Sequence, residues 1–267
     1  MAKLEPGFGF TGSLHNLSAY KRKDMEKIIL RTKGGPSKRK IKTLPSFDLT
    51  RRNNKEFGGR STACKWILRV LYPLKPLSDY NISGPLNSTL KPVQQMDTSS
   101  ELGERNIVLS ENPRLLEGFQ LNRKNLFESV LRNPLSFTLS RDEMKAEVEI
   151  PELIPGNNFF PVEEYPVYRW QATLGVIPDL FFDVEKKGYQ PNENFDSLYP
   201  SRFESEWCAV KTGAASRIIK LSLPNAMIPT GSSFSLMLAA GISFGTIRSG
   251  GAEQVSYAGC GKILMVR

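Results

Sequence analysis

From about residue 135 to residue 267, apolar and polar side chains alternate along the chain, and this alternation constrains the fold more than any other feature. Ala146, Val148 and Ile150 are separated by charged residues, and the same period of two recurs in several later segments. A strand with one buried and one exposed face has this period. Several such strands between Pro and Gly turns predict an antiparallel β-sandwich, so we expect a mainly β fold. The recurring segments are 168–176, 219–223 and 234–244, and a turn at 249–251 leads to a last strand over 255–266.

The first quarter of the chain has a different pattern. Residues 14–20 and 27–31 have the composition of short strands around a charged turn, and they predict a β-hairpin. Residues 37–55 are basic and poor in apolar side chains, which is typical of an extended segment that lies across another surface. We therefore expect three parts: a basic N-terminal arm with a hairpin over 1–58, a helical and mixed linking region over 59–134, and the β-sandwich over 135–267.

One or two helices are expected in the linking region. Apolar residues at helical spacing predict a helix from Arg60 to Leu71, capped by Ser61 or Thr62. A second helix over 86–96 is weakened by an internal proline, and a short helix is expected near 124–132.

Charge is distributed unevenly along the chain. Residues 1–75 contain 18 Lys/Arg and 5 Asp/Glu, hence +13, whereas residues 76–267 contain 18 Lys/Arg and 22 Asp/Glu, hence −4. A basic arm on a mildly acidic body indicates an anionic partner, which is either a nucleic acid or an acidic protein surface such as that of a neighbouring copy. The candidate interaction residues are Lys21, Arg22, Lys23, Arg31, Lys33, Lys38, Arg39, Lys40, Arg51 and Arg52.

The choice between these partners depends on aromatic side chains. Proteins that bind single-stranded nucleic acid stack bases on aromatic rings, but only Tyr20, Phe47 and Phe57 lie among the basic residues. No named nucleic-acid motif is present. We therefore expect a non-enzymatic structural or assembly protein whose arm docks on neighbouring subunits or a partner. Nucleic-acid binding is the alternative, and an arm that is merely solvated remains open.

The sequence contains little that indicates a catalytic or metal-binding site. His15 is the only histidine, which removes most general-base schemes. The G-x-G-x-x-G match at 7–12 has no room for a preceding strand, and the lysine of 259–262 is followed by Ile263 instead of Ser or Thr. We expect no cofactor, no bound metal and no small-molecule substrate.

A carboxylate-dependent hydrolase is the last hypothesis, and it would use acidic pairs such as Glu163–Glu164 or Asp179–Asp183. The three cysteines are widely separated and predict buried thiols, not disulfides or a zinc site; they are Cys64, Cys208 and Cys260.

No signal peptide is evident at the N-terminus. The longest apolar run, 234–247, is interrupted by Ser and Gly and is shorter than the roughly 20 residues of a spanning helix. We therefore expect a cytoplasmic protein that does not insert into a membrane.

Residues 31–35 (R-T-K-G-G), Phe47 and residues 50–58 (T-R-R-N-N-K-E-F-G) resemble a family of uncharacterised Bacteroidota proteins of similar length, and residues 115–122 resemble its central segment. The resemblance implies a bacterial origin and a two-part organisation, but no activity or cofactor.

The 50–58 segment also has a physical interpretation. Its two arginines can fork onto carboxylates or phosphates. Glu56 favours a helix N-terminus, and Phe57 can staple the start of a helix to the body. We therefore expect four residues to pack the arm: Phe47, Glu56, Phe57 and Trp66.

Overall fold

The computed structural model describes residues 2–3, 9–22, 25, 27–195, 199–224, 229 and 231–267. The chain divides into two compact units, Met1–Arg51 and Arg52–Arg267, which we call the N-terminal unit and the main unit. This boundary lies seven residues before position 58, where the sequence analysis ends the arm.

The N-terminal unit contains a small antiparallel sheet of four strands in the order β1-β4-β3-β2. The predicted hairpin is confirmed, because β3 and β4 pair antiparallel on either side of the charged turn. The predicted first strand is too long, since a turn at His15, where φ is 49°, divides it into β2 and β3. The strands are β1 (Ala2–Lys3), β2 (Gly12–Leu14), β3 (Leu17–Tyr20) and β4 (Ile29–Thr32).

The basic segment that follows is helical, and the expectation of an extended chain is wrong. Helix α1 covers Lys38–Thr43, a 3-10 turn covers Pro45–Phe47, and helix α2 covers Asp48–Val70. The Ser37 side chain caps α1 by accepting a hydrogen bond from the Lys40 amide at 3.3 Å. This cap explains why a short helix forms in a segment with no buried residue.

Helix α2 begins twelve residues before the predicted start at Arg60. The proposed caps, Ser61 and Thr62, are inside the helix, where their hydroxyls donate to backbone carbonyls one turn earlier. Two glycines and two asparagines argued against a helix before Arg60. Tertiary packing overrides them: the Gly59 position faces the ring of Tyr189, which an added Cβ would approach to 2.8 Å.

The described residues of the main unit contain two further α-helices. Helix α3 covers Ser83–Gln95 and confirms the predicted second helix, with Pro92 inside it. Helix α4, at Phe127–Val130, is the short helix expected near 124–132. Short 3-10 segments cover Tyr72–Leu77, Leu109–Glu111, Pro113–Leu116 and Val210–Thr212.

Ten strands among the described residues of the main unit confirm the mainly β fold class. A central sheet has the order β10-β7-β13-β14 with β11 also on β7, a small sheet has the order β12-β6-β5, and β8 pairs with β9. All pairs are antiparallel. The strands are β5 (Ser136–Ser140), β6 (Lys145–Ile150), β7 (Val167–Pro178), β8 (Phe181–Asp183), β9 (Gly188–Gln190), β10 (Ser201–Glu204), β11 (Cys208–Ala209), β12 (Arg217–Ser222), β13 (Phe234–Arg248) and β14 (Gly251–Val266).

The central sheet is buried on both faces. On one face, side chains such as Leu174 and Leu238 form a core with Val148 and Leu221 of the small sheet. Helices α2 and α3 and the 3-10 turns cover the other face and form a second core. Residues 63–121 therefore form a third layer of the main unit, whereas α4 belongs to the first core.

This helical layer explains why the polar residues at alternate positions of β7 are not exposed. Two residues of β7 that lie against the helices are small or polar but buried, Thr173 and Gly175. Thr173 donates its hydroxyl to the Val70 carbonyl at 3.0 Å, and Gly175 lets Val70 approach so closely that an added Cβ would lie at 2.7 Å.

Candidate interaction site

The N-terminal unit carries nearly all of the net charge. Residues 1–51 contain 12 Lys/Arg and 4 Asp/Glu, hence +8, whereas residues 52–267 contain 24 Lys/Arg and 23 Asp/Glu, hence +1. Most of the positive net charge therefore lies in the 51 residues of the N-terminal unit, and the main unit is nearly neutral.

Helix α1 is the most basic element of this unit. We call its four exposed basic side chains the α1 cations. No ion pair of these side chains is found within the described residues, and the first turn contains no acidic residue. Positive charge in the first turn of a helix opposes the helix dipole, so an anion placed there stabilises the helix. The α1 cations are Lys38, Arg39, Lys40 and Lys42.

The strands and loops of the same unit add further exposed cations. Lys21, Arg22 and Lys33 are exposed, and the guanidinium of Arg31 lies 5.5 Å from the ring centroid of Tyr20. Lys23 falls outside the described residues. The sequence-predicted cations of residues 21–40 that can be placed are therefore all on the surface.

The side chain of Arg51 forms hydrogen bonds within its own unit and has a structural role. Its Nη1 donates to the carbonyl oxygens of Ile41 at 2.8 Å and Leu44 at 2.9 Å, and its Nη2 donates to Asp48 at 3.2 Å. These carbonyls lie at the C-terminal end of α1, where a helix leaves acceptors unsatisfied. The guanidinium of Arg51 therefore caps α1 and orients it.

Replacing Arg51 by alanine should loosen α1. Hydrogen bonds from a charged donor contribute about 1.5–3 kcal/mol, so amide hydrogen exchange at Ile41–Leu44 should accelerate by roughly tenfold or more. The matched control is Arg31→Ala, which removes an exposed arginine of the same unit and should leave exchange in α1 unchanged. Equal exchange in Arg51→Ala and the unaltered protein would contradict the capping role.

Arg52 belongs to the main unit, where it lies 3.6 Å from a carboxylate oxygen of Glu101. Pairing of this kind is common in the main unit and contrasts with the α1 cations. The other pairs with exposed partners include Lys55–Glu104, Arg169–Glu204, Lys220–Glu147, Arg248–Glu253 and Lys262–Glu128.

The predicted packing residues occupy different environments. Because α2 begins at Asp48, neither Glu56 nor Phe57 lies at a helix start, and both expectations are wrong. Phe57 is 56% exposed and lies under the guanidinium of Arg60. Trp66 is half-buried and meets the ring of Phe195 edge-on, and Phe47 is half-buried in its 3-10 turn.

Glu56 anchors a buried polar network that the sequence did not predict. Arg105 donates to both carboxylate oxygens, from Nε at 2.6 Å and from Nη2 at 2.7 Å. The Gly103 amide adds a third hydrogen bond at 3.0 Å. Arg60 lies 4.0 Å from the same carboxylate and donates to Asn87 and Gln94. Two arginines thus enclose one carboxylate that is only 4% exposed.

This network sets the protonation state of Glu56. Burial alone would raise the pKa of Glu56, but the hydrogen bonds from Arg105 and Gly103 and the positive charge of Arg105 outweigh burial. The net effect holds the pKa below its ordinary value, so the carboxylate stays charged at neutral pH.

Two carboxylates considered for catalysis make hydrogen bonds with different partners. Asp179 is buried and accepts hydrogen bonds from the amide and hydroxyl of Ser110, whereas Asp183 accepts from the amide of Lys186. Burial raises the pKa of Asp179. His15 is exposed in its turn.

Two of the three cysteine predictions are confirmed, because Cys64 and Cys260 are buried and free. Cys208 is free but partly exposed. The part of the chain that the structure describes holds no cluster of three or more His, Cys, Asp or Glu side chains arranged for a metal ion.

Among the described residues, no helix is both long enough and apolar enough to cross a membrane. No protein family model matches the chain, and no curated protein or solved structure matches it either. The resemblance to Bacteroidota proteins therefore stays a prediction.

Proposed function

We propose that this protein is a non-enzymatic assembly protein whose basic N-terminal unit docks onto an acidic surface of a neighbouring copy. The observation that carries the proposal is the set of α1 cations: they are exposed, without ion pairs in the described residues, and held on a capped helix. An unpaired cluster of like charges is a steering surface for an oppositely charged partner.

The main unit offers a complementary surface. Strand β6 and its flanking residues carry five exposed carboxylates, and two of them already pair with lysines. Asp142, Glu149 and Glu152 make no ion pair within the described chain. Because β6 lies in the middle of the small sheet, its outward Glu147 and Glu149 lie on one face together with Lys145, and the other three carboxylates flank the strand. This face would receive α1 from the next copy. The five carboxylates are Asp142, Glu143, Glu147, Glu149 and Glu152.

A second feature favours a protein partner. Strand β2 is the outer strand of the N-terminal sheet, and its Leu14 side chain is 60% exposed. An outer strand with an exposed apolar side chain is a template for pairing with another chain. By comparison, base stacking has little support in this unit, because the ring of Tyr20 is already covered by Arg31.

Nucleic-acid binding is the second candidate, and one observation favours it. Lys38 and Lys42 are four residues apart on α1 and lie on one side of the helix, whereas Lys40 lies on the opposite side. Cations around a whole helix suit a polyanion that wraps it, because affinity then comes from phosphate charge alone.

Light scattering combined with absorbance on the purified protein tests both candidates. If the protein assembles, its mass at about 0.05 M salt should exceed that of one chain. The mass should fall toward that of one chain at about 1 M salt, because the Debye screening length is then only about 3 Å. A high ratio of absorbance at 260 nm to 280 nm would support nucleic acid instead. A single-chain mass at high protein concentration and low salt would overturn the assembly proposal.

A further inference from the structure

A cavity opens on the surface of the main unit at the C-terminal end of helix α3. Residues from the end of α3, from the loop after it and from the 3-10 segment at Leu109–Glu111 line a volume of about 240 Å³. This volume is several times the roughly 30 Å³ that a water molecule occupies in the liquid. Met96 on its wall is 52% exposed, and Ser99 and Glu111 are exposed as well. A small ligand therefore has both room and access here.

The wall of this cavity has an apolar part and a charged part. Val93, Met96 and Val108 contribute apolar side chains, and the remaining lining residues carry side-chain oxygen atoms. Asp97 and Glu111 are the acidic residues of the wall, and none of the lining residues that the structure describes is basic. The cavity therefore places two carboxylates next to an apolar surface, with no cation on its wall.

The carboxylate of Asp97 is held in one position and stays ionised. Its Oδ1 accepts hydrogen bonds from the amide of Ser99 at 2.9 Å, the hydroxyl of Ser99 at 2.7 Å and the amide of Ser100 at 3.1 Å. Its Oδ2 accepts from the amide of Asn106 at 2.8 Å. Burial alone would raise the pKa of Asp97, but these hydrogen bonds outweigh burial and hold the pKa well below its ordinary value. All four donors are uncharged groups, so they fix the negative charge without neutralising it.

Two further features strengthen the negative potential of the cavity. Neither Asp97 nor Glu111 forms an ion pair within the described residues, whereas the nearby Glu101 and Glu104 both pair with basic side chains of α2. Helix α3 ends at Gln95, directly beside the cavity, and the C-terminal end of a helix carries a partial negative charge. The cavity therefore attracts a positively charged ligand.

The apolar part of the wall indicates what kind of cation fits. A metal ion with oxygen ligands gains nothing from apolar side chains, and the described residues hold no group of three or more His, Cys, Asp or Glu side chains placed for one. An alkylammonium matches both parts of the wall. Its methylene groups can pack on Met96 and Val108, while its ammonium donates up to three hydrogen bonds to carboxylate and hydroxyl oxygens.

We propose that this cavity binds an alkylammonium group, which is either part of a free polyamine or the side chain of a lysine. The ammonium lies beside Asp97 and Glu111, and the methylene chain lies along Met96 and Val108. The whole chain has a formal net charge of +9, so the protein as a whole repels cations and binding depends on the local charge of the cavity. This site is independent of the docking proposed for α1.

NMR of the full-length protein labelled with ¹³C at its methionine methyl groups tests the proposal. The signal that is missing from Met96→Leu identifies Met96 among the 7 methionines. Spermidine and Nα-acetyl-lysine methylamide should both shift the Met96 signal to saturation, with dissociation constants on the order of millimolar. Tighter binding of spermidine would indicate a polyamine as the source of the ammonium, and tighter binding of the lysine compound would indicate a lysine side chain. Butanol and magnesium chloride are the comparison probes, and neither should saturate this signal in the same range.

Glu111→Gln should weaken the binding of both ammonium compounds by about threefold or more, because it removes one of the two charges and keeps the shape of the side chain. Its melting temperature should not change, since Glu111 forms no ion pair within the described residues. The matched control is Glu101→Gln, which removes an 81% exposed carboxylate that does not line the cavity, and it should bind as the unaltered protein does. A Met96 signal that neither ammonium compound shifts, an equal response to butanol, binding of magnesium only, or equal loss in the two glutamine variants would overturn the proposal.

Discussion

Replacing Glu56 by glutamine should lower the free energy of unfolding by about 3–5 kcal/mol, because the change leaves two buried arginines without their carboxylate. Glutamine has nearly the same shape as glutamate, so no cavity contributes to the loss. The side chains of Arg105 and Arg60 are only 19% and 11% exposed, so water cannot replace the missing charge. Urea unfolding, followed by both fluorescence and circular dichroism, measures the change.

The matched control is Glu104→Gln. Glu104 pairs with Lys55 at 3.1 Å, but both side chains are more than one third exposed. Exposed pairs contribute about 0–1 kcal/mol, so this variant should unfold almost as the unaltered protein does. Similar small losses in the two variants would contradict a structural role for the Glu56 network.

The network also predicts a dependence on pH. The pKa of Glu56 is lower in the folded protein than in the unfolded chain, where a glutamate titrates near pH 4.3. Its contribution to stability is therefore present above that pH and is lost as pH falls through the folded value. Acid unfolding should consequently be less steep in Glu56→Gln below about pH 4. An identical acid-unfolding curve in both proteins would contradict this assignment.

The strands could be predicted from the sequence, but the number of layers could not. Alternation located β6, β12 and β13, because a period of two is a local property of the chain. It assigned β7 one exposed face, yet Thr173 and Gly175 are buried under α2. Small or polar residues occur both where a helix packs closely on a strand and where a side chain is exposed to water. The sequence alone does not distinguish these two situations.

The charge of the candidate interaction site could be predicted from the sequence, but the contacts that hold its residues could not. The α1 cations lie within five consecutive residues, so their charge is visible without a structure. The capping role of Arg51 and the pairing of Glu56 with Arg105 across 49 positions depend on the fold. One signal for Glu56 was present: it lies seven residues before Ala63 and therefore on the apolar stripe of α2. An acidic residue on such a stripe indicates a buried partner.

Changing Lys38 and Arg39 together to glutamate should weaken self-association at least about 100-fold, or about 2.8 kcal/mol. The change brings like charges together at the proposed interface, which costs several kcal/mol. Helix α1 should remain folded, because acidic residues in a first turn are favourable to the helix dipole. Sedimentation at low salt measures the association constant, and circular dichroism checks the helix.

The altered net charge alone could weaken self-association. The control variant therefore has the same two changes of a basic residue to glutamate at a different place in the chain. Lys186 and Lys187 are adjacent and exposed near β8 and β9, and their exchange for glutamate alters the net charge equally. This control should associate as the unaltered protein does. Equal weakening in both variants would mean that general repulsion, not a contact of α1, governs association.

A charge swap identifies the surface that α1 meets. Asp142→Lys with Glu149→Lys should weaken association as strongly as the α1 variant, because the β6 face then repels α1. In a mixture of the two variants, the acidic α1 of one variant can meet the basic β6 face of the other. The native α1 and the native β6 face can also meet, so association should return. A mixture that stays dissociated would exclude this face as the receptor. If the α1 variant lost bound nucleic acid and the β6 variant did not, phosphate binding would be the function of α1.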